Sequence, residues 1–184
     1  QYSPFDVKGG LKFWAHCTSR DLLHWSFEGT ALAPDEPFDC HGVYSGSALV
    51  ENGQMVLYYT GNVKQAGDYD YIHTGRESNT VCAAGADGFH FDGKKLLMTN
   101  QDYPEDLTCH VRDPKVWKQD GRYYMVQGAR TAEDKGVVLV FESEDGLDWK
   151  YRNRLETEEP FGFMWECPDL YEVDGRTVLS ISPQ

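Results

Sequence analysis

The sequence predicts an all-β fold of β-propeller type, on three observations. Short aromatic and β-branched runs are separated by turn residues at regular short distances, and none shows the 3.6-residue periodicity of an amphipathic helix. A unit of polar entry, apolar run and Asp/Asn-Gly turn recurs three times, closing on Glu51-Asn52-Gly53, Gln119-Asp120-Gly121 and Val173-Asp174-Gly175. A second element recurs between these units: an Asp turn followed four residues later by Trp or Phe, at Asp21 to Trp25, Asp87 to Phe91 and Asp145 to Trp149. Together the two give four short strands per unit, with closing glycines 54 to 68 residues apart, which is the period of a propeller blade. A β-sandwich would not repeat its strands in sequence.

Taken in order, the chain begins with a loop and then strands over 11–17 and 22–27 about the turn at Asp21. Residues 30–42 form an acidic loop carrying Pro34 and Pro37. Strands follow over 45–50, 55–60, 81–84 and, weakly, 89–91, which makes one whole blade of roughly 43–98. Past a polar loop at 99–108 come strands over 115–117, 123–128, 137–143 and 149–152, a second whole blade of roughly 110–157. A last pair, 170–173 and 177–182, is half a blade, as is the pair at the start. The Asp turns read as hairpin turns with a packed aromatic rather than as ligand sites.

With 184 residues the chain can bury a sizeable core as one domain. A net charge of −13 argues against nucleic acid or anionic lipid as partner and favours a ligand that is neutral or held by a few local cations. No apolar run approaches a membrane span. The five cysteines are odd in number, widely spaced and free of C-x-x-C, so they read as free thiols of a reducing, cytoplasmic compartment. A zinc pair at Cys109-His110 lacks a second pair of ligands. The chain opens on Gln1, and its last apolar run has no strand after it, so the expectation is a piece of a longer chain.

Two stretches carry the chemistry: His110-Val111-Arg112-Asp113-Pro114 and Met164-Trp165-Glu166-Cys167-Pro168-Asp169. Pro114 and Pro168 both stand seven positions before their closing glycines, so Asp113 and Glu166 are expected at one mouth of the central channel, from neighbouring blades and offset from one another by one residue relative to the prolines. Arg112 should hold Asp113 ionised or occupy the other side of the same site. Phe163, Met164 and Trp165 should surround Glu166 with an apolar shell and raise its pKa, as a general acid requires. Two carboxylates so separated fit acid/base chemistry at a sugar acetal. Tyr44-Ser45-Gly46-Ser47, at the same place in the first unit, supplies an aromatic and hydroxyls suited to sugar contacts. From spacing alone, structural roles as turn caps and strand starts stay open for all three.

These stretches resemble signature motifs of family-32 glycoside hydrolases, the invertases, sucrose-6-phosphate hydrolases and fructan hydrolases. Gln1-Tyr2-Ser3-Pro4, Trp14-Ala15-His16, Asp21-Leu22-Leu23-His24-Trp25 and Ala31-Leu32-Ala33-Pro34-Asp35 are similar to the family's linking segments, in family order. The resemblance implies a five-bladed propeller followed by a β-sandwich, of which this chain covers about two whole blades and two partial ones. It implies retaining hydrolysis of β-fructofuranosides such as sucrose, sucrose 6-phosphate or short fructans. Glu166 would be the acid/base and Asp113 the transition-state stabiliser, with Arg112 beside it. Gln1, Tyr44 and Ser45 would line the fructose pocket, and Cys167 would tune Glu166. No metal or cofactor is implied, and the partner is a small sugar.

The chain departs from the family pattern in three places. Tyr44 stands where the family has Phe, and Lys8-Gly9-Gly10-Leu11 replaces a loop that commonly carries a substrate-facing Trp, leaving the aglycone contacts open. The family's nucleophile motif, Trp-Met-Asn-Asp-Pro-Asn-Gly, does not occur and would lie upstream. The 184 residues alone are therefore expected neither to hydrolyse fructosides nor to form a stable monomer. An inverting arabinan or xylan hydrolase on the same scaffold, and a non-catalytic sugar-binding propeller, are the competing readings.

Overall fold

A computed structural model describes residues 1–6, 10–159 and 161–184; Lys8 and Gly9, from the loop singled out above, lie outside the described residues. Among the described residues there is no helix, and twelve strands form four antiparallel sheets. The first sheet pairs β1 (Trp14–Ser19) with β2 (Trp25–Leu32). The second runs in sequence order through β3 (Val43–Glu51), β4 (Gln54–Lys64), β5 (Arg76–Gly85) and β6 (Asp92–Met98). The third does the same through β7 (Leu107–Gln119), β8 (Arg122–Thr131), β9 (Gly136–Ser143) and β10 (Lys150–Leu155). The fourth pairs β11 (Trp165–Val173) with β12 (Arg176–Pro183).

The three Asx-Gly turns join β3 to β4, β7 to β8 and β11 to β12 as two-residue loops. In each, both central residues have positive φ: Asn52 and Gly53 at 50° and 75°, Asp120 and Gly121 at 51° and 80°, Asp174 and Gly175 at 50° and 72°. This is the type I′ geometry whose twist matches that of the flanking strands. The Asp turns are equally regular. Asp21 Oδ1 accepts from the amides of Leu23 and His24, Asp87 Oδ1 from Phe89 and His90, and Asp145 Oδ1 from Leu147 and Asp148.

These turn bonds explain two shifted strands. The amides of Phe89 and His90 are spent on Asp87, so the strand expected at 89–91 starts instead at Asp92. Likewise Leu23 and His24 belong to the Asp21 turn, and β2 starts at Trp25. The aromatic that follows the turn is buried at Trp149 but 59% exposed at Trp25, so the packed-aromatic expectation fails at the first copy. Strand β7 also begins eight residues before the expected 115: Leu107 pairs with Thr131, and Thr108-Cys109-His110 form an irregularity before pairing resumes at Val111 opposite Ala129.

The sheets stack face to face through three apolar layers. Leu32, Val43, Leu57, Tyr59 and Val81 fill the first, between the first and second sheets. Tyr58, Cys82, Val111, Met125, Phe141 and Trp149 fill the second. Val126, Val138 and Trp165 anchor the third, against Leu170, Leu179 and Ile181. Successive residues of β4, β8 and β9 serve opposite layers, as Tyr58 and Tyr59 do. Strands buried on both faces lose the alternation of a half-exposed sheet and read as continuous apolar runs.

The acidic loop is tied into this stack. Asp39 is fully buried, and its carboxylate accepts from Lys94 Nζ at 2.8 Å, Tyr59 OH at 2.7 Å and the Glu36 amide at 2.9 Å. A buried charge is tolerated only with such partners.

Candidate active site

The first strands of the second, third and fourth sheets carry the site, and each is bulged at its entry. Register shifts fall between Val43 and Gly46, Arg112 and Lys115, and Glu166 and Asp169. Pro114 and Pro168 have no amide hydrogen for the ladder, which suits them to a bulge. The residue before each proline is left-handed, Asp113 at φ 64° and Cys167 at φ 47°. This alignment agrees with the one-residue offset expected from the prolines: Glu166 corresponds to Arg112, and Asp113 corresponds to Cys167. The two carboxylates are offset neighbours.

Contacts between strands draw the bulges together. Ser47 Oγ donates to the Pro114 carbonyl at 2.8 Å and accepts from the Val116 amide at 3.0 Å, stitching β3 to β7. Ser47 is thus structural, not the sugar contact its motif offered. The Asp113 amide donates to Thr60 Oγ1 on β4 at 2.9 Å. Gly128 on β8 lets β11 approach: a Cβ there would lie 1.8 Å from the Trp165 carbonyl oxygen. That close approach sets Glu166 opposite Arg112.

Arg112 bridges the site. Its Nε and Nη2 donate to Glu166 Oε1 at 3.0 and 2.5 Å, and its Nη1 lies 2.6 Å from His110 Nδ1. An arginine is always protonated, so His110 Nδ1 accepts. Burial pushes the His110 pKa down to about 4, and the charges of Arg112, Arg76 and Arg130 add to the effect. Glu166 Oε2 accepts from Gln184 Nε2 at 2.8 Å. Asp113 Oδ2 accepts from the Cys167 amide at 2.8 Å.

Of the two roles expected of Arg112, it takes the place across the same site and does not pair with Asp113. Arg112 spends its fork on Glu166 rather than on Asp113. The Asp113 carboxyl, buried at 6% exposure, is pushed above its ordinary pKa by desolvation, and the Cys167 amide and the Arg112 charge oppose this only in part. The apolar shell around Glu166 does not form either. Met164 and Trp165 turn into the core and Phe163 is 45% exposed, while the Glu166 side chain stays 30% exposed among polar groups. Apolar neighbours along a strand need not be neighbours of a side chain on one face. The Cys167 thiol is held neutral, its pKa raised to about 11 by desolvation and by the Asp113 charge.

One cavity of about 360 Å³ gathers the residues singled out from the sequence. Gln1, Tyr44, Ser45, Arg112, Asp113, Glu166 and Cys167 all line it, with Gln1 Nε2 donating to Ser45 Oγ at 2.9 Å. Sequence reasoning missed Lys12 and Arg76, which also line it, and weighed His110 only as a zinc ligand. His110 carried a usable signal, since residues two apart on a strand share a face and Arg112 follows it by two. Below the site a second cavity of about 320 Å³ runs between β3, β7 and β11, with Lys115 and Asp169 paired at 3.1 Å. All five cysteines are free thiols. Among the described residues, no group of three or more His, Cys, Asp or Glu is placed to hold a metal ion, and no helix is long and apolar enough to cross a membrane.

The model of the glycosyl hydrolases family 32 N-terminal domain matches residues 1–184. The chain belongs to this family. A sucrose-6-phosphate hydrolase of Bacillus subtilis is 40% identical over 189 residues, covering 100% of this chain and 38% of the relative. The structure of sucrose-6-phosphate hydrolase from Lactobacillus gasseri superposes with a TM-score of 0.89 at 36% identity, covering 100% of this chain and 36% of that one. A Bombyx mori GH32 β-fructofuranosidase gives a TM-score of 0.84 at 34% identity, covering 100% and 38%. The chain therefore spans well under half the length of these relatives. Its four sheets belong to a β-propeller, as the repeats predicted. Family membership also decides against the arabinan and xylan hydrolases that spacing had left open.

Proposed function

We propose that this chain is part of the catalytic propeller of a retaining β-fructofuranosidase, an enzyme that hydrolyses sucrose, sucrose 6-phosphate or short fructans. The observation that carries the reading is the Arg112–Glu166 fork facing the buried Asp113 in one cavity with Gln1, Tyr44 and Ser45. In this reading the propeller closes with five blades. The remaining blades, a β-sandwich and the nucleophile belong to sequence beyond these 184 residues.

Each residue has a task its surroundings suit. Glu166 gives a proton to the departing glycosyl oxygen and then takes one from the attacking water. Its Oε1 is pinned by Arg112, so Oε2, held only by the amide of Gln184, is the oxygen that exchanges the proton. Arg112 is itself oriented by His110. Asp113 binds fructosyl hydroxyls, and those bonds strengthen as the oxocarbenium-like transition state forms. Its Oδ2 is held by the Cys167 amide, which leaves Oδ1 for the sugar. A retaining mechanism places its nucleophile roughly 5–5.5 Å from the acid/base carboxyl, and Asp113, committed to Cys167, is not assigned that task. The neutral Cys167 thiol adds no charge beside Glu166. Membrane or nucleic-acid binding has no part in the reading, which places the enzyme in the cytoplasm.

The test is turnover by the full-length protein. Release of free fructose from sucrose or sucrose 6-phosphate is expected, and sugar binding without release of fructose from either would favour a non-catalytic propeller.

A further inference from the structure

Arginine and carboxylate frequently meet as two forks, each oxygen taking one N–H. Arg112 and Glu166 do not. Both Arg112 donors, Nε at 3.0 Å and Nη2 at 2.5 Å, fall on the single oxygen Oε1, and Oε2 is left to the Gln184 side chain. The other end of the guanidinium, Nη1, is held 2.6 Å from His110 Nδ1. A planar group anchored at both ends is not free to turn in its own plane, so the His110 contact fixes the one-oxygen geometry.

The surroundings keep this anchor neutral. Burial and the charges of Arg112 on β7, Arg76 on β5 and Arg130 on β8 all act against a proton on the ring, and the Tyr71 carbonyl from the β4–β5 loop opposes them only in part. Lys12, Asp113 and Glu166 line the same cavity, and the neighbouring Cys109 thiol is held neutral by burial. Neutrality matters, because an imidazolium would have no lone pair for Arg112, and a carboxylate in its place would draw the Arg112 charge away from Glu166. Nε2, which carries the ring's proton when Nδ1 accepts, is buried and finds no hydrogen-bond partner among the described residues. A histidine kept for stability alone would satisfy both nitrogens. This one satisfies the nitrogen that faces Arg112.

We propose that His110 is a positioning residue for the acid/base: as a neutral acceptor on the far end of the Arg112 guanidinium, it confines Arg112 to Oε1 of Glu166 and keeps Oε2 available to exchange the proton with the departing sugar. The inference rests on the fructosidase reading and adds a residue to its machinery. Without the anchor, Arg112 turns to take both oxygens of Glu166, which ties up Oε2 and stabilises the carboxylate. A stabilised carboxylate gives up its proton at lower pH, so less of the enzyme holds the proton the leaving sugar needs.

The experiment measures kcat/KM against pH in the full-length wild type, His110→Leu and His110→Asn, with melting curves to establish folding. The substrates are the better of sucrose and sucrose 6-phosphate, and an aryl fructofuranoside whose acidic phenol needs almost no protonation. His110→Leu should lower kcat/KM for the sugar substrate by roughly 10- to 100-fold, the contribution of a hydrogen bond to a charged group. It should also move the basic limb of that profile down by about one pH unit or more, with a smaller loss on the aryl fructoside. His110→Asn offers a carbonyl oxygen near the Nδ1 position and should restore most of both. If His110→Leu does not fold, imidazole nitrogen NMR of the wild type carries the test, with His110 assigned by its loss in His110→Asn. Nδ1 should stay free of a proton, and Nε2 should keep its own, from neutrality down to about pH 4. A proton on Nδ1, or titration at an ordinary histidine value, would overturn the neutral anchor. An unmoved basic limb in folded His110→Leu, or equal losses on the two substrates, overturns the positioning role and leaves the fructosidase reading standing. Turnover of no fructoside by the wild type overturns both.

Discussion

Replacing Glu166 with Gln removes one proton and little else. Oε1 keeps its place as acceptor for Arg112 Nε and Nη2, and the new amide N–H donates to Gln184 once the Gln184 side chain turns its carbonyl oxygen, in place of Nε2, toward it. The Arg112 bond changes from charged to neutral, a difference of about 1 kcal/mol, so the variant should fold and melt only slightly below the wild type. What it loses is the acid. The glucose of sucrose departs as a poorly stabilised alkoxide unless protonated, and the full contribution of general acid catalysis, roughly 10²- to 10⁴-fold in kcat/KM, should disappear. An aryl fructofuranoside with an acidic phenol as leaving group needs almost no protonation. Its first step should fall by no more than about tenfold, since only the positioning by Glu166 is disturbed. The assay measures kcat/KM for both substrates in the full-length wild type and variant, with melting curves to establish folding. Equal losses on the two substrates in a folded variant would refute Glu166 as the acid and leave it a structural partner of Arg112.

Two further outcomes follow from burial and charge. The raised pKa of Asp113 means the folded state holds its proton more tightly than the unfolded state does. Its contribution to stability is therefore full below the ordinary carboxylate range and lost as pH rises through the raised folded value. In Asp113→Asn, which tolerates the left-handed backbone at that position, this loss is absent. The melting temperature of the variant relative to wild type should climb from pH 4 toward neutrality while fructoside turnover collapses; a difference that falls with pH would contradict the account. For the buried pair below the site, Lys94→Met leaves the Asp39 charge uncompensated and should destabilise the protein by about 3–5 kcal/mol. Chemical denaturation measures this, and a loss below about 1 kcal/mol would show that Tyr59 and the Glu36 amide suffice.

The fold was legible because its signals are local. An Asn-Gly or Asp-Gly pair between apolar runs specifies a type I′ hairpin, and an Asp turn spends its own carboxylate on the next amides. Both could be read from four consecutive residues, and both recur in the structure where they recur in the sequence. Strand limits were less legible where a strand runs on across an irregularity, as β7 does over 108–110 between its pairs at Leu107 and Val111. The list of site residues was legible through motifs, and the cavity gathers them. Their electrostatics were not. Sequence neighbours of Glu166 lie on the other face of β11, and Arg112 reaches a residue on another sheet rather than the one beside it. Lys12 and Arg76 gave no local signal at all, because their shared cavity is made by chain segments more than sixty residues apart. The Asp39–Lys94 pair escaped notice for the same reason, within what read as an irregular acidic loop.

The central claim is that this propeller carries out retaining hydrolysis of a fructoside with Glu166 as acid/base. Following the anomeric configuration of released fructose by NMR, in the first moments of sucrose or sucrose 6-phosphate hydrolysis by the full-length protein, tests it most directly. Double displacement predicts that the β-anomer appears first and the α-anomer only as mutarotation proceeds. First appearance of the α-anomer would contradict the mechanism assigned to Glu166 and its partners.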